Sequence, residues 1–441
     1  MLGIDTALNS ALTPWAERLR TRADLPLLLR WGDSPAAAIR LGKTEPPRVA
    51  IHIRHPSALP ALLSPSLETL GEAYVEGHID LDGSAPDLID VAWKLAAAGA
   101  SDAAGHPPGP LARMMQRIAH ATQHSKDTDR DAIQYHYDLS NDFYAAWLDP
   151  DMVYSCAYFE NGDESLALAQ RKKIDHILTK LQLAPGQSLL DIGCGWGALV
   201  MRAASHFGAR CVGITLSQNQ YDLARERVRQ AGLQDRVEIR LQDYRDVAGR
   251  FDRIASVGMF EHVGLKHLGA YFRTLHGLLA EDGWVINHGI TSTDAHDGET
   301  HYGGGRFIDR YVFPQGELAH IGTVLTRMQE SGLEAVDVEG LRRHYARTTQ
   351  LWSEAFESRS DTLKAMVGEK RWRIWRLYLI GSHWAFEHDQ ISLFQVLCRR
   401  AGGSAQGQPW SRRWMYAQEM PPRLEHPVPV PAVLPVSARP Q

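Results

Sequence analysis

From about residue 133 the chain alternates two hydrophobic patterns. Short apolar runs (SLLDIG, RCVGIT, RVEIRLQD, FDRIASVG, WVINHGI) are separated by stretches whose apolar residues recur every three or four positions (ALVMRAASHFG, SQNQYDLARERVRQAG, KHLGAYFRTLHGLLAEDG). Runs too apolar to face water, alternating with amphipathic helices, predict an α/β domain with a mostly parallel sheet covered on both faces over residues 133–402. Residues 1–100 read as a smaller α+β domain, with strand-like LPLLLRWG, AAIRLG and RVAIHIRH and helical LETLGEAYVEG and DLIDVAWKLAAAG. Between the two, residues 101–132 read as a linker with a helix, rich in Gly and Pro at its start (ASDAAGHPPGP). Residues 420–441 read as a disordered Pro-rich tail.

At 441 residues, 44% hydrophobic and 22% charged, the chain has the size of two globular domains. A net charge of −5 argues against nucleic-acid binding through overall positive charge. Cys156, Cys194, Cys211 and Cys398 are widely spaced, so neither a disulfide framework nor a zinc site is indicated, which suits a cytoplasmic location. No signal peptide and no apolar run of roughly 18 residues is visible, so a soluble protein is expected.

Two stretches carry chemistry. In LLDIGCGWG (189–197), Asp191 closes a strand, and Gly193, Gly195 and Gly197 follow at alternate positions before a helix. Glycines there permit a tight turn and close approach to a ligand, but the spacing is not the dinucleotide G-x-G-x-x-G. The second strand ends in GITLSQNQ, so Thr215, Ser217 and Gln220 offer neutral hydrogen bonds where an acidic residue is common; Ser217 is equally suited to cap a helix. In VGMFEHVG (257–264), Glu261 follows an apolar strand at once. A carboxylate near apolar surroundings is costly, so it is either an exposed helix cap or kept for chemistry, with His262 the more exposed neighbour.

The glycine loop resembles the first motif of the class I S-adenosylmethionine (SAM) methyltransferases. Together with YHYDLSNDFY (135–144), MVYSCAYFE (152–160), LQDYRDV (241–247), GMFEHVG (258–264), RYVFPQGEL (310–318) and HYARTTQLW (344–352), it resembles the cyclopropane-fatty-acyl-phospholipid synthases and mycolic acid cyclopropane synthases over about residues 130–400. GEAYVEGHIDLDG (71–83) is similar to the N-terminal domain of the bacterial phospholipid enzymes. The resemblance implies a Rossmann-like, seven-stranded class I methyltransferase fold. It also implies methylene transfer from SAM to the cis double bond of unsaturated phospholipid acyl chains, through a carbocation deprotonated by bound bicarbonate.

By the same resemblance, Cys156, Glu261, His288, Ile290 (through its backbone N–H) and Tyr345 surround the bicarbonate. His288 and Tyr345 suit donation to the anion; Glu261 suits orienting His288 or accepting the bicarbonate proton. Glu261 and His288 follow adjacent strands, so both fall at the carboxyl edge of the sheet. Around SAM the family pattern sets Tyr137, Tyr154 and Ser155; Leu189, Leu190, Asp191, Ile192, Gly193, Cys194, Gly195, Trp196 and Gly197; Thr215, Leu216, Ser217, Gln218, Asn219 and Gln220; and Tyr244 with Arg245. The chain departs from the family at Gly289, where Thr or Ser is usual, and at Ser382, where a late cysteine is common. Gly289 is expected to loosen the backbone, which leaves a methyl-branched or methylenated product as the alternative.

An acyl-phospholipid substrate calls for docking on the inner face of the membrane. EKRWRIWRLYLIGSHW (369–384) interleaves basic and aromatic residues as an anionic lipid surface requires, and as an ordinary helix with inward tryptophans also would. The first domain is expected to serve lipid docking or self-association as a homodimer.

Overall fold

The apolar runs become strands in a computed structural model that describes residues 2–31, 37–43, 46–100, 139–295, 304–312, 317–404 and 408–416. The linker 101–132, Tyr137 and the tail 420–441 lie outside the described residues. The first elements are α1 (Leu2–Arg22), β1 (Leu27–Arg30), β2 (Ala38–Arg40), β3 (Val49–Ile53), α2 (Leu59–Leu63), α3 (Leu67–Val75), β4 (Ile79–Asp82) and α4 (Ala85–Ala100). There follow α5 (Asn141–Ala145), α6 (Leu166–Lys180), β5 (Ser188–Ile192), α7 (Ala198–Phe207), β6 (Arg210–Thr215), α8 (Gln218–Gln230), β7 (Val237–Leu241), β8 (Phe251–Val257), α9 (Leu268–Leu278) and β9 (Leu279–Ser292). The last are α10 (Gly304–Tyr311), α11 (Ile321–Glu330), β10 (Leu333–Gly340), α12 (Arg342–Ser358), α13 (Ser360–Val367), α14 (Glu369–Glu387) and β11 (Ile391–Arg400).

The chain divides into two units. The first comprises Met1–His120, Glu299–Pro314 and Phe356–His388; the second comprises Ala121–Gly298, Gln315–Ala355 and Asp389–Gln441. In the first, a four-stranded sheet of order β2-β1-β3-β4 pairs β1 with β3 in parallel and its other neighbours antiparallel. Helix α3 begins in a capping box, Ser66 and Thr69 each accepting the other's backbone N–H at 3.0 Å. Helices α10, α13 and α14, far along the sequence, belong to this unit as well. In α14 the basic and aromatic residues both find partners within this unit. Trp372 and Trp375 are buried, while Lys370, Arg373 and Arg376 pair with Glu76, Asp80 and Glu357 at 2.7, 2.6 and 2.6 Å. Packing therefore accounts for the alternation in EKRWRIWRLYLIGSHW. Among the described residues no helix is long and apolar enough to cross a membrane.

The second unit carries a seven-stranded sheet, β10-β11-β9-β8-β5-β6-β7, in which only β11 runs against its neighbours. Strand alternation sorts the apolar residues into two layers. Leu189 packs on one face with Ile177, Val200 and Val228, and Leu190 on the other with Phe272, Leu275 and Val324. Both are core residues, although the family pattern set them beside SAM. The sheet also has a length mismatch. Strand β8 stops at Val257, opposite His288, and Gly258 donates its N–H to the His288 carbonyl at 2.8 Å. Strand β9 continues to Ser292, where β11 is its neighbour on one side and the Ser292 N–H donates to the Ala319 carbonyl at 3.0 Å on the other.

Strand β8 is tied to α9 by the buried hydroxyls of Ser256 and Tyr271, 2.6 Å apart, and the Tyr271 ring meets Tyr244 edge-on at 5.2 Å. Replacing Tyr271 by Phe strips a buried hydroxyl of its partner. Chemical denaturation of Tyr271→Phe should show a loss of about 1–3 kcal/mol, with ligand affinity at the Tyr244 wall little changed.

Candidate active site

The loop after β5 needs its glycines. Gly193, Gly195 and Gly197 have φ of 80°, 54° and 86°, a region that side-chain-bearing residues avoid. The N–H groups of Gly193 and Cys194 donate to the Ile214 carbonyl at 3.0 and 2.9 Å, which fastens the loop to β6. Buried Arg227 donates to the Trp196 carbonyl at 2.9 Å, and Trp196 Nε1 donates to Asn141 Oδ1 at 2.7 Å. A cavity of about 150 Å³ opens on this loop.

Of the residues the sequence pointed to for the cofactor, Tyr154, Ser155, Asp191, Ile192, Gly193, Cys194, Gly195, Trp196, Thr215, Leu216, Gln220, Tyr244 and Arg245 line this cavity. Gly197 instead turns the chain into α7. The Ser217 hydroxyl accepts the Gln220 N–H as the N-cap of α8. Gln218 bonds Asp222 along that helix, and the Asn219 carbonyl accepts from Asn141. Thr215 Oγ1 donates to Gln220 Oε1 at 2.7 Å and so holds that side chain at the cavity wall. Asp243 holds the Arg245 guanidinium at 2.7 Å beside the Tyr244 ring.

Besides the Asp243–Arg245 pair, the cavity has Asp191 and a residue not anticipated, Lys173 of α6. Burial pushes the Asp191 carboxyl up to about 7, partly offset by Lys173. Burial likewise brings the Lys173 ammonium down to about 8; it donates to Ser155 Oγ at 2.7 Å. One acidic and one basic group at the same wall suit a zwitterionic ligand. A sequence signal for Lys173 existed: Lys173, Ile177 and Lys180 fall on one helical stripe, so two lysines share the buried face of α6.

Beyond the cavity, the turn after β8 divides its side chains. Met259 and His262 line the cavity, so His262 is half-buried rather than a surface residue. Glu261 turns toward β9, where its Oε1 accepts the Ile290 N–H at 2.7 Å. That N–H, expected to face an anion, is thus taken by Glu261. Burial pushes the Glu261 carboxyl up to about 7, and Oε2 has no partner. Gly289 makes this contact possible. A Cβ there would lie 2.1 Å from Phe260 Cε1 and 2.9 Å from Glu261 Oε1, so the glycine seats Phe260 rather than loosening the strand.

His288, one residue earlier, projects from the opposite face of β9. Its Nδ1 meets Gln395, not Glu261, at 3.1 Å, and its buried Nε2 has no partner. Burial and the nearby Lys173 and Lys180 hold the imidazole neutral, well below its ordinary range. The Cys156 thiol, raised by burial, donates to the Ala157 carbonyl at 3.2 Å and is no nucleophile. Tyr345 stands edge-on to Trp352, which meets the cavity-lining Tyr154 at 5.1 Å. The structure therefore joins Glu261 to Ile290, His288 to Gln395, and Tyr345 to the cavity through an aromatic chain.

Comparison with known proteins gives matches to both regions of the chain. The family model for mycolic acid cyclopropane synthetase matches residues 124–396, and a domain of unknown function (DUF7884) matches residues 15–103. A probable fatty acid methyltransferase of Pseudomonas putida is 46% identical over 84% of this chain and 92% of its own length. The tuberculostearic acid methyltransferase UfaA1 of Mycobacterium tuberculosis is 35% identical over 90% of this chain and 93% of its own. A crystal structure of mycolic acid cyclopropane synthase CmaA1 complexed with SAH and CTAB has a TM-score of 0.59 at 37% identity, covering 62% of this chain and 98% of that one.

Adding a methyl group by Gly289→Ala must displace Phe260 or the Glu261 carboxylate. Denaturation should show a loss of about 1–3 kcal/mol, and activity should fall with it.

Proposed function

Because the chain belongs to the mycolic acid cyclopropane synthetase family and is a SAM-dependent methyltransferase, we propose that it adds a methylene unit to the cis double bond of unsaturated fatty acyl chains. The observation that carries this reading is Glu261: buried, half-satisfied, and set in the turn from which Met259, His262 and Val263 line the cofactor cavity. Acyl chains of phospholipids, reached by peripheral docking on a membrane, are the proposed substrate. The resemblance of residues 71–83 to the phospholipid enzymes supports it.

An alkene is neutral and weakly nucleophilic, so the enzyme must supply alignment rather than activation by a base. Asp191 and Lys173 offer opposite charges to the amino-acid end of SAM, which when bound brings an electrophilic methyl group. Tyr154 presents an aromatic face at the cavity, backed by Trp352 and Tyr345, that suits a cation developing on the acyl chain. Ring closure then requires loss of a proton from the new methyl group. Two buried atoms without a partner, His288 Nε2 and Glu261 Oε2, have the polarity an oxyanion site requires, but they lie on opposite faces of β9, so bicarbonate would be held by one of them rather than clamped between both. When bound, that ion would supply the base. Burial elsewhere excludes water, which would otherwise trap the cation.

A second reading ends in a methylene or methyl branch. It is supported by two relatives that match 84% and 90% of the chain, since they carry the names of methyltransferases rather than of cyclopropane synthases.

The enzyme should be incubated with SAM and unsaturated phospholipid vesicles or free fatty acid, with and without bicarbonate, and its products read by mass spectrometry and NMR. The proposal expects cyclopropyl protons on phospholipid chains and a sharp fall without bicarbonate. Vinylic methylene signals would establish the second reading, and no change to either lipid would overturn both. Glu261→Gln should keep SAM affinity and lose about 10²–10⁴-fold in turnover.

A cation near Asp191 favours its ionised form, so binding is weaker while the carboxyl stays protonated. SAM affinity measured by calorimetry should rise several-fold above about pH 6 as Asp191 ionises, then fall again above about pH 8 as Lys173 loses its proton. Asp191→Asn should flatten that rise.

A further inference from the structure

Gln395, on β11, is the register partner of His288 on β9, and both are buried. Its side chain lies between two groups whose demands are opposite. On one side Lys180 Nζ donates to Gln395 Oε1 at 3.1 Å; on the other Gln395 Nε2 meets His288 Nδ1 at 3.1 Å. Lys180 is wholly buried and flanked by Glu339, with which it pairs, and by Asp337 at 3.6 Å. Glu339 in turn takes a hydrogen bond from His176 at 2.8 Å.

The direction of every bond follows from what each group is able to do. An ammonium only donates, so the amide oxygen of Gln395 must face Lys180. The amide NH2 then faces His288, and it also only donates. Nδ1 must therefore present its lone pair, and the single proton of the neutral ring belongs on Nε2.

We propose that Gln395, clamped by Lys180, is a positioning residue that holds His288 in the Nε2–H tautomer. His288 then works as a hydrogen-bond donor to an anion at the reaction centre and not as the proton acceptor. The consequence for catalysis rests on the proposed function above; the tautomer itself does not. The charged and titratable groups about His288 are Lys173, His176 and Lys180 from α6 and Glu339 from β10. None of these offers Nδ1 an acceptor.

The test uses the full chain labelled with 15N-histidine, with the His288 signals assigned by their loss in His288→Gln. Long-range proton–nitrogen correlations should show His288 protonated at Nε2, and protonation at Nδ1 would overturn the proposal. Gln395→Glu keeps a partner for Lys180 but turns an acceptor toward Nδ1, drawing the proton there. At about pH 8 its kcat should fall at least about tenfold while KM for SAM stays within about twofold. The new carboxylate also raises the ring's proton affinity. As pH falls toward about 6, the doubly protonated ring regains Nε2–H and activity should partly return, a rise the parent enzyme lacks. An unchanged kcat and pH profile in a folded Gln395→Glu enzyme would also overturn the proposal. Should that variant not fold, the parent spectrum decides alone. Activity without bicarbonate would remove the ion from the mechanism and leave the spectral result standing.

Discussion

The site depends on one unequal pair of strands. Strand β8 ends at Val257 while its parallel neighbour β9 runs on to Ser292, so the stretch of β9 between His288 and Ser292 loses β8 as its partner. An unpaired buried N–H costs about 1–3 kcal/mol, and Glu261 removes that cost by accepting from Ile290 with one carboxylate oxygen. The fold thereby holds a buried acid in place through its structural bond, and the second oxygen is oriented without being used. Phe260 and Gly289 complete the arrangement, because the ring fills the space any larger residue at 289 would occupy.

Helix α6 serves the site twice, through two buried lysines that are compensated differently. Lys180 has two carboxylates and an amide oxygen around it, so its charge is matched. Lys173 has the Ser155 hydroxyl for a hydrogen bond and only more distant acidic groups, and burial brings it down to about 8. The first lysine fixes the direction of a hydrogen-bond chain leading to His288. The second is an incompletely balanced charge in a cavity wall, opposite in sign to Asp191, and a ligand with both charges relieves both residues at once.

The paired polar groups also limit what each residue contributes to chemistry. Cys156 is packed and held protonated, and burial holds His288 neutral with its Nδ1 against the Gln395 amide. Burial and bond partners, rather than residue type, thus leave one unpartnered polar atom on each, Nε2 of His288 and Oε2 of Glu261.

Periodicity and glycine spacing were enough to locate β5 to β9, the loop at Asp191 and the carboxyl edge where Glu261 and His288 fall, because strand alternation and left-handed backbone are local properties. The seven-stranded class I methyltransferase fold followed from resemblance, since β10 and β11 carry no equally clear pattern. Other facts depend on residues far apart in the chain. Helices α13 and α14 belong to the first unit, Gln395 rather than Glu261 orients His288, and Glu261 takes the N–H of Ile290. A hydrogen bond across more than a hundred residues is decided by which strands become neighbours and where each one stops. Local sequence determines which groups seek partners; only the folded sheet determines which partners they find.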